Sequence, residues 1–189
     1  MKILIACECS GIIREAFRKK GHEAWSCDIK PTEITSDYHI QDDVLSHLDE
    51  GWDLMIGHPP CTFMCRNRAR LNEIENRKID TSLFMALLNA DIPKICIENP
   101  VPSKVAGLPK YDQIVQPYQF GHDHSKKTCL WLKNLPKLKP TKLVELTYIT
   151  TKNGHRYTRG WYMTPRNSTD RSRTFTGIAL AMADQWGGR

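Results

Sequence analysis

The first hundred residues alternate between short apolar runs and segments with helical spacing, and this alternation limits the fold more than any other feature of the sequence. The runs typical of strands cover Lys2–Ala6, Glu23–Cys27, residues 52–57 and residues 94–97. Strands that alternate with helices form a parallel sheet with helices on both faces. The sequence therefore predicts a mostly parallel α/β fold with its chemistry at the carboxyl ends of the strands.

The helical segments are predicted from their apolar faces and end signals. The segment after the first strand closes at Gly21, and further helices are expected over residues 43–48, much of residues 68–90 and residues 177–187. Beyond residue 110 the pattern becomes a small β-rich part, with strands expected over residues 113–120, 128–132, 144–150 and 155–163. We expect one domain over residues 1–189, with a cofactor and catalytic half at 1–110 and a base-contacting half at 111–189.

Cysteine usage and apolar content indicate the compartment. No window approaches the ~20 apolar residues of a membrane span, and the N-terminus has no signal-peptide pattern. The seven cysteines have neither zinc-ribbon spacing nor an evident disulfide framework, and Cys7, Cys27, Cys96 and Cys129 are interpreted as core thiols. These features predict a soluble cytoplasmic protein with reduced thiols and no membrane partner.

The positive charge is concentrated late in the chain. Residues 126–173 carry seven Lys and five Arg against two acids, which gives +10, whereas residues 1–125 carry fourteen basic and eighteen acidic residues, which gives −4. A basic segment beside an acidic body is typical of a surface that faces a polyanion, and a solvated lysine-rich face is the alternative.

Polar residues follow four of the predicted strands. A thiol (Cys61) and a carboxyl (Glu98) at two strand ends suit the addition of a nucleophile to a pyrimidine ring while a ring nitrogen is protonated, and Pro59 and Pro60 would stiffen the thiol's loop. Each signal is weak alone, because a cysteine in a loop more often has no catalytic role. Cys65, four residues further on, leaves a metal pair open, although no second pair supports it.

The first turn and the end of the second strand are candidate cofactor contacts. Gly11 would let a cofactor approach the backbone, and the following helix N-terminus favours a carboxylate or phosphate. Ile12 and Ile13 stand where a dinucleotide fingerprint has further glycines, which excludes nicotinamide binding. Asp28 is placed to hold ribose hydroxyls, and a turn aspartate is an equally good interpretation.

Taken in order, five segments of the first hundred residues resemble the DNA cytosine-5 methyltransferases, especially their short phage-like relatives. The segments are Ser10-Gly11 with Ile13-Arg14-Glu15-Ala16-Phe17, then Glu23-Ala24-Trp25-Ser26-Cys27-Asp28, Asp42-Asp43-Val44, Asp53-Leu54-Met55-Ile56-Gly57-His58-Pro59-Pro60-Cys61 and Glu98-Asn99. Their joint order is far more specific than any one of them.

The resemblance implies a Rossmann-like methyltransferase fold, S-adenosylmethionine as cofactor without a metal, and DNA as the partner in a bacterial or phage-infected cell. The catalytic residues that it implies are Cys61, Glu98, Pro60, Asn99 and Lys127. The cofactor contacts that it implies are Cys9, Ser10, Gly11, Asp28, Ile29, Asp43, Pro59 and Thr176, with Thr174 beside the last. The candidate DNA contacts are Lys126, Arg156, Arg159 and Trp161, the indole by stacking, although the last three are also ordinary hairpin residues.

Two departures from the family pattern leave alternatives open. Ile13 replaces a glycine of the first motif, and only residues 141–166 are available for target recognition. A homodimer or an accessory subunit could supply recognition. The same chemistry on a free nucleotide (dCMP), a single strand or RNA, transfer of a group larger than methyl, and a catalytically silent DNA-binding relative are the other interpretations.

Overall fold

The computed structural model describes residues 1–62, 64–65, 79–165 and 167–188, and a seven-stranded sheet lies at its centre. The strands are β1 (Lys2–Ala6), β2 (Glu23–Cys27), β3 (His39–Ile40), β4 (Leu54–Gly57), β5 (Lys94–Pro100), β6 (Gln113–Val115) and β7 (Thr128–Lys133). Their order across the sheet is β3-β2-β1-β4-β5-β7-β6. β3, β2, β1, β4 and β5 run parallel, and β7 is antiparallel to both of its neighbours. The α/β prediction is confirmed at this level, and the sheet is compatible with a Rossmann-like fold.

Helices and a hairpin complete the described part of the chain. The α-helices are α1 (Ile12–Arg18), α2 (Ser82–Leu88), α3 (Arg159–Met163), α4 (Ser168–Ser172) and α5 (Thr176–Trp186), with 3-10 turns at Val44–His47, Lys104–Ala106 and Pro117–Gln119. The hairpin pairs β8 (Tyr148–Thr150) with β9 (Arg156–Thr158). Among the described residues, no helix has the length and apolar character needed to cross a bilayer.

The core has two layers because successive side chains of a strand point to opposite faces of the sheet. On one face, Ile3 and Ile5 of β1 pack with side chains of α1 and α5. On the other face, Leu4 and Ala6 join a cluster that includes residues of α2. Full burial of each large aliphatic side chain contributes about 1.5–3 kcal/mol, so both helical layers hold the sheet rigid.

The strand order reverses at β1, which has β2 on one side and β4 on the other. Chain connections leave in opposite directions from such a point and open a crevice beyond the carboxyl ends of the strands. The residues after β1, β2, β4 and β5 are therefore brought toward one edge.

Several boundaries differ from the sequence predictions. β5 was expected over 94–97 but reaches Pro100, because Glu98 and Asn99 pair with Leu130 and Cys129 of β7. The expected strand over 113–120 ends at Val115 and turns into a 3-10 helix that begins with a proline. The expected strand over 155–163 ends after three residues of β9, and α3 follows.

The helix expected over much of residues 68–90 can be compared with the structure only over residues 79–90. Residues 79–81 are not helical, and α2 covers Ser82–Leu88. The Asp80 carboxylate accepts a hydrogen bond from Ser82 N at 2.9 Å at the start of α2. The rest of the predicted helix lies outside the described residues, which do not include 66–78.

Candidate active site

The loop that carries Cys61 follows β4 and is fixed at several points. His58 N donates to Ala6 O at 2.9 Å, and the buried amide of Asn99 donates to Pro59 O at 3.0 Å. Further on, Cys65 N donates to Cys61 O at 3.2 Å. Cys61 is half-buried within this loop. The contacts at the ends of β4 and β5 therefore fix the position of the loop that carries the thiol.

Beside the thiol, His58 and Glu98 form a hydrogen-bonded pair that the sequence analysis missed. His58 Nδ1 lies 2.9 Å from Glu98 Oε2, and the two side chains are only 13% and 14% exposed. The sequence feature that could have identified His58 is its position at the carboxyl end of a strand. The same feature selects Cys61 and Glu98.

The electrostatics of this pair and of the thiol differ. Burial raises the pKa of Cys61, with Cys65 and Glu98 adding to the rise and Lys126 opposing it. Burial also acts to raise the pKa of Glu98, but His58, Lys126 and a hydrogen bond from Thr128 outweigh it and hold the pKa below its usual value. In the resting site Cys61 is therefore a thiol and Glu98 an ionised carboxylate at neutral pH.

The two lysines predicted from the sequence occupy different positions. Lys126 acts electrostatically on both Cys61 and Glu98, and its Nζ donates to Arg171 O at 2.8 Å. Lys127 is exposed and lines a neighbouring cavity. Lys126 is thus a better candidate than Lys127 for the catalytic lysine that the sequence analysis proposed.

A second cluster lies at the ends of β1 and β2. Burial raises the pKa of Cys7 to about 12, and the carboxylates of Asp28 and Asp43 add to the rise, which brings the three residues into one neighbourhood. Each carboxylate also serves its own turn: Asp28 accepts from Lys30 N at 3.0 Å, and Asp43 accepts from Leu45 N at 3.0 Å. Both the binding and the turn interpretations of Asp28 therefore remain compatible with its position.

Two buried charged side chains, Glu8 and Arg14, form the turn between β1 and α1. Glu8 accepts from Ser10 Oγ at 3.0 Å and from Ile13 N at 2.9 Å, so the carboxylate at this helix N-terminus is the chain's own. Gly11 has φ +72°, and a Cβ there would lie 2.6 Å from Arg14 Nη2. The guanidinium of Arg14 explains the glycine, and the predicted cofactor contacts of Cys9, Ser10 and Gly11 stay predictions.

The segment before α5 is tied to this turn. Arg173 Nη2 lies 2.9 Å from Glu33 Oε2, and Glu33 N donates to Cys9 O at 2.8 Å. Thr176 begins α5 as an exposed residue, with its hydroxyl 3.5 Å from His122 Nε2. Arg173, shortly before α5, is thus linked through Glu33 to the turn that follows β1.

A cavity of about 640 Å³ opens beside the candidate catalytic loops. Its described lining combines aromatic, basic and small residues: Cys65, Pro100, Val101, Tyr111, Ile114, His124, Ser125, Lys126, Lys127, Trp161, Thr164, Asp170, Arg171 and Phe175. Cys61 and Glu98 are not in that lining, but Cys65 and Pro100 continue the loops that carry them. The cavity has the size and the mixture of aromatic and cationic groups that a nucleotide requires.

The predicted DNA contacts on β9 and α3 are partly engaged within the chain. Trp161 stacks on Tyr157, with ring centroids 4.9 Å apart, and the guanidinium of Arg171 lies 4.8 Å from its ring. Arg156 lies over Tyr148, and Arg159 is exposed. Stacking of a base on Trp161 stays a prediction and requires that one of these two partners move.

The remaining observations concern metals and relatives. Among the described residues, no group of three or more His, Cys, Asp or Glu side chains is arranged to hold a metal ion. No protein-family model and no curated protein matches the chain.

Proposed function

We propose that this chain is an S-adenosylmethionine-dependent methyltransferase that modifies carbon 5 of cytosine in DNA through a covalent Cys61 adduct. The observation that carries the proposal is the junction of the β4 and β5 loops, where Asn99 bonds to Pro59 and Glu98 bonds to His58. A thiol and a carboxyl held on two adjacent strands are the groups needed to attack carbon 6 and to protonate ring nitrogen 3.

The residues at the ends of β1 and β2 fit the cofactor. Asp28 and Asp43 both act electrostatically on Cys7, and the side chain of Ile29, which follows Asp28 in the sequence, is 74% exposed and offers an apolar surface to an adenine ring. Asp28 would hold the ribose and Asp43 the adenine. The backbone amide of Ile13 at the start of α1 donates to Glu8. The carboxylate at the methionine end of the cofactor must therefore bind to other groups. The bound cofactor supplies an electrophilic methyl group.

Side chains of this protein carry out the attack on carbon 6 and the protonation of nitrogen 3. Cys61 loses its proton to solvent and forms a bond to carbon 6, while nitrogen 3 takes up a proton through Glu98, which must first gain that proton because the resting carboxylate is ionised. Lys126 stabilises both reacting groups in their charged forms. Asn99 holds the loop backbone, and Pro59 and Pro60 limit its motion.

The decisive experiment is methyl transfer from labelled cofactor to duplex DNA, single-stranded DNA and dCMP in parallel. We expect transfer to DNA, a trapped adduct on 5-fluorocytosine DNA, and loss of both in Cys61→Ser. Cys65→Ser, which removes the neighbouring thiol of the same loop, is expected to retain the adduct. Turnover by Cys61→Ser or activity on dCMP alone would overturn the proposal.

A second candidate keeps the chemistry and changes the substrate to a single strand. The cavity beside the loops favours it, because its aromatic and cationic lining suits an unpaired nucleotide, and the hairpin offers only three residues per strand for recognition. Transfer to single-stranded DNA with none to the duplex would establish this candidate. DNA binding without transfer of any group would indicate a silent relative.

A further inference from the structure

The His58 ring is held close to Glu98 but has no second partner. Its Nδ1 atom is 2.9 Å from Glu98 Oε2, and its Nε2 atom is buried without a hydrogen-bond partner among the described residues. A histidine tautomer is normally fixed by the bond that the other ring nitrogen makes. With Glu98 ionised, Nδ1 donates to the carboxylate, and the unpartnered Nε2 is left to take up a second proton, after which Nδ1 can pass its own proton to the carboxylate and become the acceptor.

We infer that His58 is a positioning residue that shares one proton with Glu98 and returns it to the carboxyl when a base binds there. The inference deepens the proposed function and rests on it for the identity of the base. In the protonated pair, an imidazolium faces a carboxylate. When the proton moves to the carboxyl, the ring keeps its other proton on Nε2 and Nδ1 becomes the acceptor.

The surroundings of the carboxyl favour such an exchange. Among the described residues, His58 after β4, Lys126 before β7 and Thr128 on β7 act on Glu98. Glu98 in turn raises the pKa of the neighbouring thiols of Cys61, Cys96 and Cys129. Lys126 and Thr128 both favour the ionised carboxylate, so the carboxyl needs a nearby proton source to act as an acid. His58 is the titratable side chain in this group that is directly hydrogen-bonded to it.

The reaction step balances with this proton. The Cys61 thiolate forms the bond from sulfur to carbon 6, the electron pair of the 5,6 double bond shifts into the ring, and nitrogen 3 takes a proton from the Glu98 carboxyl. The imidazolium passes its Nδ1 proton to the carboxylate and becomes neutral. When the sulfur to carbon 6 bond breaks, the proton returns from nitrogen 3 to the pair.

The first test measures the shared proton without any substrate. Imidazole nitrogen signals of the labelled protein are compared by NMR at one pH in the wild type and in Glu98→Gln. We expect the Nδ1 signal of His58 to change in the variant, because the glutamine amide cannot exchange a proton with the ring. The exposed His155 in the hairpin turn serves as internal control and keeps its signal. An unchanged Nδ1 signal of His58 would overturn the inference.

The second test separates proton supply from simple positioning. In His58→Asn, the amide nitrogen stands close to the former Nδ1 and still donates to Glu98, but it cannot release a proton. We measure exchange of the carbon 5 hydrogen of cytosine with solvent, without cofactor, as a function of pH. The variant is expected to be about 100-fold slower than the wild type near pH 8, with its alkaline limb displaced to lower pH. An unchanged pH profile would contradict proton sharing, since a purely structural role survives this substitution.

Failure of the proposed function gives a different pattern. If the wild type neither transfers a methyl group nor exchanges the carbon 5 hydrogen, cytosine is not the substrate. A changed Nδ1 signal of His58 in Glu98→Gln would then still support the shared proton, and an unchanged signal would reject it.

Discussion

Replacement of Glu8 by alanine is expected to destabilise the turn after β1 and the helix that follows. The Glu8 side chain is buried, and its Oε1 atom accepts both short bonds of the turn, from Ser10 Oγ at 3.0 Å and from Ile13 N at 2.9 Å. Oε2 accepts a longer bond from Arg14 N at 3.5 Å. Alanine leaves these donors in a buried position without their acceptor.

The contacts set the size of the effect. A hydrogen bond to a charged group contributes about 1.5–3 kcal/mol, and a carboxylate at a helix N-terminus adds about 0.3–1 kcal/mol. With water recovering part of the two short bonds, Glu8→Ala should cost about 3 kcal/mol, or about 6–12 °C in Tm for a chain of this size. Glu8→Gln keeps an acceptor at the Oε1 position but turns an amide donor toward Arg14 N, and it should cost about 1 kcal/mol.

Thermal melts followed by circular dichroism, supported by urea titrations, measure these differences. Glu23→Ala is the matched control, because Glu23 is exposed on β2 and its loss should change stability by less than about 0.5 kcal/mol. A Glu8→Ala protein that melts within about 2 °C of the wild type would refute the reasoning. So would a glutamine variant that is as unstable as the alanine variant.

Two further predictions concern α5. Burial lowers the pKa of His122, whose Nε2 accepts from Gly177 N at 3.0 Å, so the unfolded state binds more protons and stability should fall as the pH drops from about 6.5 through the lower folded value. Thermal melts of His122→Gln should show a smaller loss over this range, and an equal loss would exclude His122 as its source. In Gly177→Ala, the new Cβ would overlap Phe120 O, so we expect a loss above about 3 kcal/mol in urea titrations, against less than about 1 kcal/mol for the control Thr176→Ala. A stable Gly177→Ala protein would show that this backbone contact can relax.

Local sequence signals predict part of this fold well. β1 and β2 have the predicted limits because their apolar runs end in polar turns, and α5 is one residue from its predicted start. β5 is longer than its apolar run because Glu98 and Asn99 gain partners on β7, some thirty residues further along the chain. Such pairing is a tertiary property that no local pattern contains.

The candidate site, like the fold, is predicted from the sequence only where local signals are sufficient. The strand-end rule selects Cys61, Glu98 and Asp28, and the structure places Cys61 in the loop after β4, which is bonded to the end of β5 that carries Glu98. His58 and Glu8 were missed because an isolated histidine or glutamate in a sequence is usually solvent-exposed. Their roles depend on partners that only the folded chain provides, at a separation of forty residues for His58 and Glu98.

The packing of α5 against α1 also bears on how the chain acquires its structure during synthesis. Ile178 and Met182 cover the same apolar cluster as Ile13 and Phe17, so this layer stays open until α5 has left the ribosome. A nascent chain must therefore keep one apolar face of its sheet exposed until α5 has been made, which is a condition that favours aggregation. A premature stop before residue 176 would give an aggregation-prone fragment that depends on chaperones, rather than a shorter functional protein.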